Sequence, residues 1–271
     1  MQPYLDDCGT ISHTYFDGKG VEWSFDCLFD AYKQYQWAFS FEEPEGGGRI
    51  TGRDVRDSLN ALNRLRNGLR QALTEENPNA CRRYCFAMLQ WGGVTSHNKA
   101  TIEKQGDDLA AFLQRASNVL DLSTYDTQRP PTLKFTSGLG KIYHLIVDGL
   151  IMYDSRVAAG LSVLVRDFCI SMGRHRVPRV LEFHLPFPRS HHDRRNPSIG
   201  PYRFSGTHNR SDKHMNSNVK ASWLLRAVLD GTHSSFDDCE RDADLTALQS
   251  ALFMIGYDIR GFRTRGAETD Y

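Results

Sequence analysis

Residues 137–161, SGLGKIYHLIVDGLIMYDSRVAAGL, decide how the chain folds. Two apolar helices are predicted there, one over residues 141–151 and one that begins at Asp154 or the next residue and reaches about 172. Gly138 and Gly140, before the first helix, predict a tight hairpin, since glycine adopts positive φ without a Cβ clash. The N–H groups that open the following helix can hold a phosphate.

Helical patterns extend on both sides of this stretch. The predicted helices cover 27–38, 51–75 with Thr51 as cap, 78–90, 98–120, 219–230 and 242–255. Residues 1–26 are predicted to be irregular or to form a short hairpin, residues 178–217 a basic loop and residues 261–271 a flexible tail. β-structure is expected to be nearly absent after residue 26. The sequence therefore predicts an all-α, mainly helical protein, with 1–271 as a single domain.

Composition excludes several classes of protein. The 271 residues are 40% hydrophobic and 24% charged, which is typical of globular chains. No apolar run approaches the roughly 18 residues that would span a bilayer. The opening residues are polar and acidic, unlike a secretory signal. We expect a cytoplasmic protein that does not interact with membranes.

The cysteines and histidines do not predict a metal site. The six cysteines are scattered, as reduced core thiols are in cytosolic proteins. The loop after residue 178 is rich in histidine, which raises the possibility of zinc, but the spacings match no usual ligand pattern. These histidines are His184, His191, His192, His208 and His214. We therefore predict no metal and no cofactor.

Positive charge is concentrated in one region of the chain. The formal net charge is zero, with 33 basic and 33 acidic residues. Residues 171–220, however, hold ten Arg or Lys against three Asp or Glu. The loop arginines suit contact with phosphates, and aromatic residues interleave with them, as in many base-stacking surfaces. The arginines are Arg189, Arg194, Arg195, Arg203 and Arg210, and the aromatic residues are Phe187, Tyr202 and Phe204. We expect this loop to shape the substrate site as a lid.

Lys141 and Asp154 together suit cleavage of an N-glycosidic bond. A positioned carboxylate stabilises the oxocarbenium-like sugar as the base leaves, or deprotonates the nucleophile. An unprotonated amine can attack the sugar C1′ and form a Schiff base. Either residue also has an ordinary explanation, because lysines are common in first turns and aspartate is a good N-cap. For Asp154, capping and catalysis are compatible.

Four segments resemble one family. GLGKIYHL is similar to the hairpin and nucleophilic lysine of the 8-oxoguanine DNA glycosylase family, and MYDSRVAAGL to its aspartate-headed helix. FAMLQWGGVTSHNKATIEKQ (86–105) resembles the family's asparagine-bearing loop, which fills the hole left by the flipped base. LQSALF (248–253) resembles its helix with a base-reading Gln and a stacking Phe. The resemblance implies a helix-hairpin-helix glycosylase fold and a partner that is double-stranded DNA with a modified base.

The resemblance assigns roles to individual residues. Lys141 and Asp154 would be catalytic, and the base pocket would contain Trp91, Gln249 and Phe253. The DNA-binding residues would be Gly138, Gly140, Ser96, His97, Asn98 and Lys99, and the basic loop adds Arg194 and Arg195 for contact with phosphates. Ordinary interpretations stay open for three of these residues. Asn98 is equally suited to cap a helix. Core packing is the default for Phe253, and Gln249 with Phe253 is equally well explained as a surface and a core residue of one helix.

The chain also departs from the family. Lys141 follows the second glycine directly, the loop between Lys141 and Asp154 is shorter, and the N-terminal β-sheet domain has no counterpart of adequate length. The segments GKIYHL (140–145), YDSRVAAGL (153–161) and KASWLL (220–225) are closer to abbreviated bacterial glycosylases that excise bulky modified bases, such as glucosylated 5-hydroxymethylcytosine, in anti-phage defence. We favour that substrate, with an 8-oxoguanine repair glycosylase and AP lyase as the alternative. A non-catalytic DNA-binding module and a helical scaffold for protein partners are alternatives of other classes.

Overall fold

A computed structural model of the protein describes residues 4–7, 9–186, 192–239 and 243–264; of His97, His192 and Asp193 it describes only the backbone. The chain divides into two compact units. The central unit is Gln36–Met152, and the terminal unit combines Met1–Tyr35 with Tyr153–Tyr271. The structure is mainly helical, with small β-sheets, so the predicted fold class is confirmed at that level.

The terminal unit opens with a β-hairpin and a short helix. These elements are β1 (Ile11–Phe16), β2 (Glu22–Phe25) and α1 (Leu28–Lys33). Strands β1 and β2 are antiparallel, with Thr14 opposite Ser24. In the turn, the Asp17 carboxylate accepts hydrogen bonds from the N–H groups of Lys19 and Val21. The short hairpin that the sequence allowed within residues 1–26 is present.

The central unit packs five helices beside a two-stranded sheet. Its elements are β3 (Gln36–Glu42), β4 (Arg49–Asp54), α2 (Val55–Thr74), α3 (Pro78–Trp91), α4 (Thr95–Glu103), α5 (Leu109–Val119) and α6 (Ser137–Ile146). Helix α2 buries one apolar face that includes Leu62, Leu65 and Leu69, and it packs against α3 and α6. Burial of such a face supplies most of the stability of an amphipathic helix.

The rest of the terminal unit follows residue 152. Its elements are α7 (Ser155–Ser171), α8 (His192–Arg195), α9 (Ser211–Asp230), α10 (Ala243–Ile255) and β5 (Arg263–Thr264). Strand β5 pairs with β1 and completes a three-stranded sheet in the order β2-β1-β5. Helix α10 is apolar almost all round, and it packs against α1, α7 and α9.

Three predictions about strands were wrong, the first being that β-structure is nearly absent after residue 26, where β3 and β4 form a sheet. The predicted helix 27–38 ends at Lys33, and residues 36–42 form β3 instead. Thr51 does not cap α2 but lies in β4, and Asp54 is the cap, accepting from the Asp57 N–H at 2.9 Å. In β3 the aromatic side chains of Trp37, Phe39 and Phe41 alternate with small or polar ones, a period that suits a strand rather than a helix.

Other corrections concern helix bounds. The predicted helix 98–120 divides into α4, a 3₁₀ turn at Gly106–Asp108 and α5. Helix α9 begins at Ser211, so it takes up the end of the predicted 178–217 loop, and α8 lies within that loop. Of the predicted flexible tail, Arg263–Thr264 form β5; residues 265–271 lie outside the described part of the chain.

The predicted tight hairpin at Gly138 and Gly140 is wrong. Both glycines lie inside α6, which begins at Ser137 and ends at Ile146 instead of covering 141–151. Neither glycine has positive φ. Helix α5 ends at Val119, so the connection to α6 is far longer than a hairpin turn.

None of the helices within the described ranges combines the length and the apolar character that crossing a bilayer requires.

Candidate functional site

Asp154 lies directly before α7, and its carboxylate caps the helix. Its Oδ1 accepts hydrogen bonds from the backbone N–H groups of Arg156 at 3.0 Å and Val157 at 3.1 Å. The prediction that a helix begins at Asp154 or the next residue is confirmed. The carboxylate is half-buried and fixed by two bonds at the positive end of the helix dipole, where an anion is stabilised.

Arg156 lies on a pair of aromatic rings. Its guanidinium carbon is 4.4 Å from the centroid of Phe253, near the end of α10, and 4.7 Å from that of Tyr257. Each of these two rings also contacts another aromatic ring: Tyr15 stacks on Tyr257 with ring centroids 5.1 Å apart, and the ring centroids of Tyr35 and Phe253 are 5.7 Å apart. Cation–π contacts of this kind fix a guanidinium without neutralising it. Phe253 and Tyr257 are both half-buried, so part of each ring is accessible.

Arg195, from α8, is the second cation beside this aspartate. It is 7% exposed; its Nη1 donates to Ser155 Oγ at 2.7 Å and its Nε to the Tyr257 carbonyl oxygen at 3.4 Å. Burial and, to a lesser degree, the positive charge of Arg156 lower the pKa of Arg195 to about 10, against the opposing effect of the Asp154 charge. Arg195 therefore stays protonated at neutral pH.

We call Asp154, Arg156, Arg195, Phe253 and Tyr257 the α7 cluster. It places two guanidiniums near one carboxylate at a helix N-terminus, where the backbone already favours anions. Within the cluster itself, two guanidiniums outnumber one carboxylate. Such an arrangement can hold a phosphate while the carboxylate faces a developing cation, and the two rings offer a stacking surface for a base.

Two glycines allow this cluster to form. A Cβ on Gly160 of α7 would collide with the carbonyl oxygen of Leu252 in α10, and a Cβ on Gly256 would collide with the carbonyl oxygen of Arg156. The collisions are with backbone atoms, which cannot rotate away. Because both positions lack a Cβ, α10 approaches α7 closely enough to place Phe253 under Arg156.

Two other predicted residues of the terminal unit, Gln249 and Arg194, lie close in sequence to Phe253 and Arg195 of the α7 cluster. Gln249 is on α10, one turn before Phe253, and is only 5% exposed. Arg194 has its Nε 3.7 Å from Asp258 Oδ2, and its carbonyl accepts the N–H of Ile259 at 2.8 Å. Base reading by Gln249 and DNA contact by Arg194 stay predictions.

Lys141 belongs to the central unit, in the second turn of α6. It is 6% exposed. Its aliphatic stem packs so close to Gly92 that a Cβ there would lie 2.6 Å from Lys141 Cδ. Gly92 is the C-cap of α3, so the absence of a side chain at that helix end makes space for the lysine. Lys141 and Asp154 lie in different units, and the nucleophilic role of Lys141 stays a prediction.

Asn98 lies inside α4 and joins it to the start of α6. Its Nδ2 donates to the Val94 carbonyl at 2.7 Å, and its Oδ1 accepts from Thr136 Oγ1 at 2.7 Å. Thr136 caps α6 by accepting the Leu139 N–H at 3.1 Å. The interpretation of Asn98 as a helix cap is wrong, since α4 begins at Thr95. Its side chain is 6% exposed and already holds these partners.

The contact with Asn98 also explains the first glycine of α6. A Cβ on Gly138 would meet the Asn98 side-chain amide. Gly138 is therefore required for close approach of α4, and not for the positive φ that the sequence suggested. Gly140 continues the helix, donating its N–H to the Thr136 carbonyl at 2.8 Å. DNA contact by the backbone of these two glycines stays a prediction.

His144, one turn after Lys141, is a buried and uncharged part of the same helix. Its Nδ1 is 2.5 Å from the Leu150 carbonyl oxygen, and Arg66 Nη2 is 3.3 Å from its Nε2. Burial, together with the smaller effect of the positive charge of Arg66, lowers the pKa of His144 to about 3. A neutral imidazole that donates from Nδ1 and accepts at Nε2 fits both contacts.

The remaining predicted residues of the central unit divide into buried and exposed groups. Trp91 is 4% exposed, lies 6.4 Å from the Trp37 ring, and accepts the Trp37 Nε1–H at its carbonyl at 2.8 Å. Ser96 and Lys99 are exposed on α4, and Lys99 is 3.6 Å from Glu103. The His97 side chain lies outside what the structure describes. The base-pocket role of Trp91 stays a prediction.

The predicted basic loop is described only in part. Phe187, Arg189 and His191 lie outside the described residues. Arg210 holds Asp212, with Nη2 2.6 Å from its Oδ2. Within the described ranges, no three His, Cys, Asp or Glu side chains are grouped so that they could hold a metal ion.

Sequence reasoning identified some members of the α7 cluster and missed others. Asp154, Arg195 and Phe253 were selected, and the structure places them together. Arg156 and Tyr257 were not selected. Their signal in the sequence was spacing alone: Arg156 is two residues after the proposed catalytic aspartate, and Tyr257 is four residues after the proposed stacking ring.

No protein-family model, no curated protein and no solved structure matches this chain.

Proposed function

We propose that the protein is a DNA glycosylase that flips a modified base out of double-stranded DNA and cuts its N-glycosidic bond, leaving an abasic site. The observation that carries this proposal is the α7 cluster: a carboxylate fixed at a helix N-terminus, flanked by two guanidiniums and two aromatic rings. Each part has a use in this reaction. The four-segment resemblance in the sequence supports the same class of enzyme.

Asp154 would act on the sugar. As the C1′–N bond breaks, its electron pair leaves with the base and C1′ gains positive charge, which an ionised carboxylate stabilises. Water then adds to C1′, and its proton passes to a base, for which Asp154 is the nearest candidate. Because the cap bonds use Oδ1, they fix the carboxylate's direction and lower the cost of positioning it.

The rings and guanidiniums would bind the extruded nucleotide. A base inside a duplex cannot be reached, so it must be extruded and stacked elsewhere. Phe253 and Tyr257 offer that surface, and base–aromatic stacking contributes about 1–3 kcal/mol per base. Arg156 and Arg195 suit the flanking phosphate, and guanidinium N–H groups also suit the hydroxyl groups of a glucosylated base.

Lys141 would determine what happens after the base leaves. If its amine attacks C1′, a Schiff base forms and the strand is cut by β-elimination, with the proton on C2′ removed. If it does not, the enzyme releases an intact abasic site. Lys141 is buried within its own unit, so this step is the part of the proposal that most needs a direct test.

We favour a bulky base such as glucosylated 5-hydroxymethylcytosine, removed in defence against phage. The abbreviated fold and the group of guanidinium donors support this choice. The alternative substrate is 8-oxoguanine, and the alternative of another class is a module that binds DNA without cutting it.

An incision assay on two duplexes tests the proposal. One duplex carries glucosylated 5-hydroxymethylcytosine and the other 8-oxoguanine, each read with and without alkali. We expect alkali-sensitive sites in the first duplex with the wild-type protein and none with Asp154→Asn. Borohydride would trap a covalent DNA adduct if Lys141 is the nucleophile, and Lys141→Gln would abolish it. Lys134→Gln, at an exposed lysine of the same unit, is the matched control.

The outcomes separate the candidates. Excision of 8-oxoguanine alone would identify a repair enzyme. DNA binding with no loss of either base would favour the binding module. Salt-insensitive binding, or no binding, would favour a scaffold for protein partners.

A further inference from the structure

A second positively charged surface lies in the terminal unit, at the other end of α7. It is an open cleft of about 820 Å³. One wall is the turn after α7 and the 3₁₀ turn Arg179–Leu181; Pro201 and Arg203 form the other. Its basic side chains, all exposed, are Arg174, His175, Arg176, Arg179 and Arg203. We call this the Arg176 cleft.

The backbone of the cleft is anchored from behind. Gly173, with φ +60°, ends α7, and the Arg174 N–H returns to the Cys169 carbonyl at 2.9 Å. The hydroxyl of buried Tyr202 donates to the Arg174 carbonyl at 2.6 Å. On the other side, Lys220 Nζ donates to the carbonyl of Arg179 at 3.3 Å. The walls are therefore fixed before any ligand binds, which lowers the ordering cost of binding.

The charge of the cleft is not balanced within the protein. Glu182 is its one acidic lining residue. Among the residues that the structure describes, no ion pair joins a carboxylate to Arg174, Arg176, Arg179 or Arg203. Exposed arginines elsewhere do hold carboxylates, such as Arg49 with Glu42 and Arg260 with Asp258. An anion that enters the cleft can therefore bind these arginines without first breaking a described ion pair.

We propose that the Arg176 cleft binds the phosphodiester backbone of the same DNA, away from the base that is excised. Four guanidiniums on two walls exceed what one phosphate needs, and their spread along an open cleft suits a polymer of phosphates. The cleft contributes affinity without contacting the reacting sugar. This inference rests on the proposed function for the identity of the polymer, but its test does not require base excision.

The test measures the salt dependence of binding to an unmodified 20-base-pair duplex. Arg176→Gln/Arg203→Gln removes one cation from each wall, and neither side chain supports the fold by a described contact. Each phosphate contact contributes about 0.9 to the slope of log K against log salt, so the slope should fall by about 2. At 0.1 M salt, loss of the same two contacts should weaken binding of the duplex by up to about 60-fold.

The matched control is Arg49→Gln/Arg64→Gln, which removes the same charge from two exposed arginines that already hold Glu42 and Glu43. We expect its slope to stay within about 0.5 of the wild-type slope. An unchanged slope in the cleft variant would overturn the proposal. So would micromolar binding of pyrophosphate, measured by calorimetry and lost in the cleft variant, without any change in duplex binding, since the cleft would then hold a small anion.

Single-turnover excision at saturating protein keeps the two proposals apart. The cleft variant should then cut the modified base at the wild-type rate, because the cleft supplies binding only. A wild-type protein that excises no base, but whose salt slope still depends on the cleft, would refute the glycosylase proposal alone.

Discussion

Asp154→Asn separates the two roles of this residue, helix capping and catalysis. Asparagine keeps an oxygen where Oδ1 accepts the N–H groups of Arg156 and Val157, and Asn caps helices as well as Asp does. The substitution therefore removes the negative charge and preserves the cap. Asp154→Ala removes both.

The structure sets the expected magnitudes. Loss of the cap in Asp154→Ala costs about 1 kcal/mol of unfolding free energy, within a range of roughly 0.5–2. In Asp154→Asn only the charge interactions are lost, about 0.3–1 kcal/mol with the helix dipole. Arg195 then keeps fewer compensating charges, which adds to the cost. Excision should fall by about 10²–10⁴-fold, or about 3–5 kcal/mol of transition-state stabilisation. The loss of activity far exceeds the loss of stability.

The assay combines single-turnover excision with urea unfolding for both variants. Asp54→Asn is the matched control, because Asp54 caps α2 by the same kind of bond, from the Asp57 N–H. We expect that control to retain the wild-type rate. The reasoning is refuted if Asp154→Asn folds with near wild-type stability and still excises within threefold of the wild-type rate. It is equally refuted if only Asp154→Ala loses activity, because the cap alone would then matter.

Three further predictions concern packing and pH. Gly138→Ala should destabilise the protein by about 1–3 kcal/mol, because the new Cβ clashes with Asn98. The loss should be smaller when Asn98→Ala is also present. A double-mutant cycle measured by urea unfolding that gives a coupling energy below about 0.5 kcal/mol would contradict this. Gly160→Ala should cost about 1–3 kcal/mol and also slow excision, whereas a stable variant of normal rate would show that α7 and α10 need not touch there. His13 and His144 have pKa values lowered by burial to about 4 and about 3. Below about pH 6.5 the unfolded chain binds a proton at each of these histidines, whereas the folded chain does not. Lowering the pH from 7 to 5 should therefore reduce the free energy of unfolding by about 2 kcal/mol for each histidine. Urea unfolding midpoints that are the same at both pH values would contradict this.

Helices with strong caps and clear periodicity were predictable from the sequence. The start of α7 at Asp154 and the span of α3 from Pro78 follow from local rules, because cap and apolar face lie within one segment. The strands β3 and β4 were missed, although the aromatic residues Trp37, Phe39 and Phe41 alternate with small or polar ones. A short apolar run fits both periods, and the pairing partner that decides between them lies across a turn.

The candidate site was predictable only where it is local in sequence. Asp154 could be selected because a single helix end supplies its geometry. Arg156 could not, since its importance comes from Phe253 and Tyr257, about a hundred residues further along the chain. Gly138 was selected for the wrong reason. The sequence around Gly138 suggested a hairpin. Glycine is needed there because the Asn98 side chain approaches too closely for a Cβ, a contact that local sequence patterns do not reveal.

The same reasoning explains why the α7 cluster depends on glycine at two distant positions. Gly160 and Gly256 bring backbone atoms of α7 and α10 into contact, so no side chain separates Arg156 from the rings below it. The cation–π contacts with Phe253 and Tyr257 fix the position of Arg156 without removing its charge. Close packing in this unit therefore serves electrostatics, because it places a charged guanidinium at a fixed position in the first turn of α7.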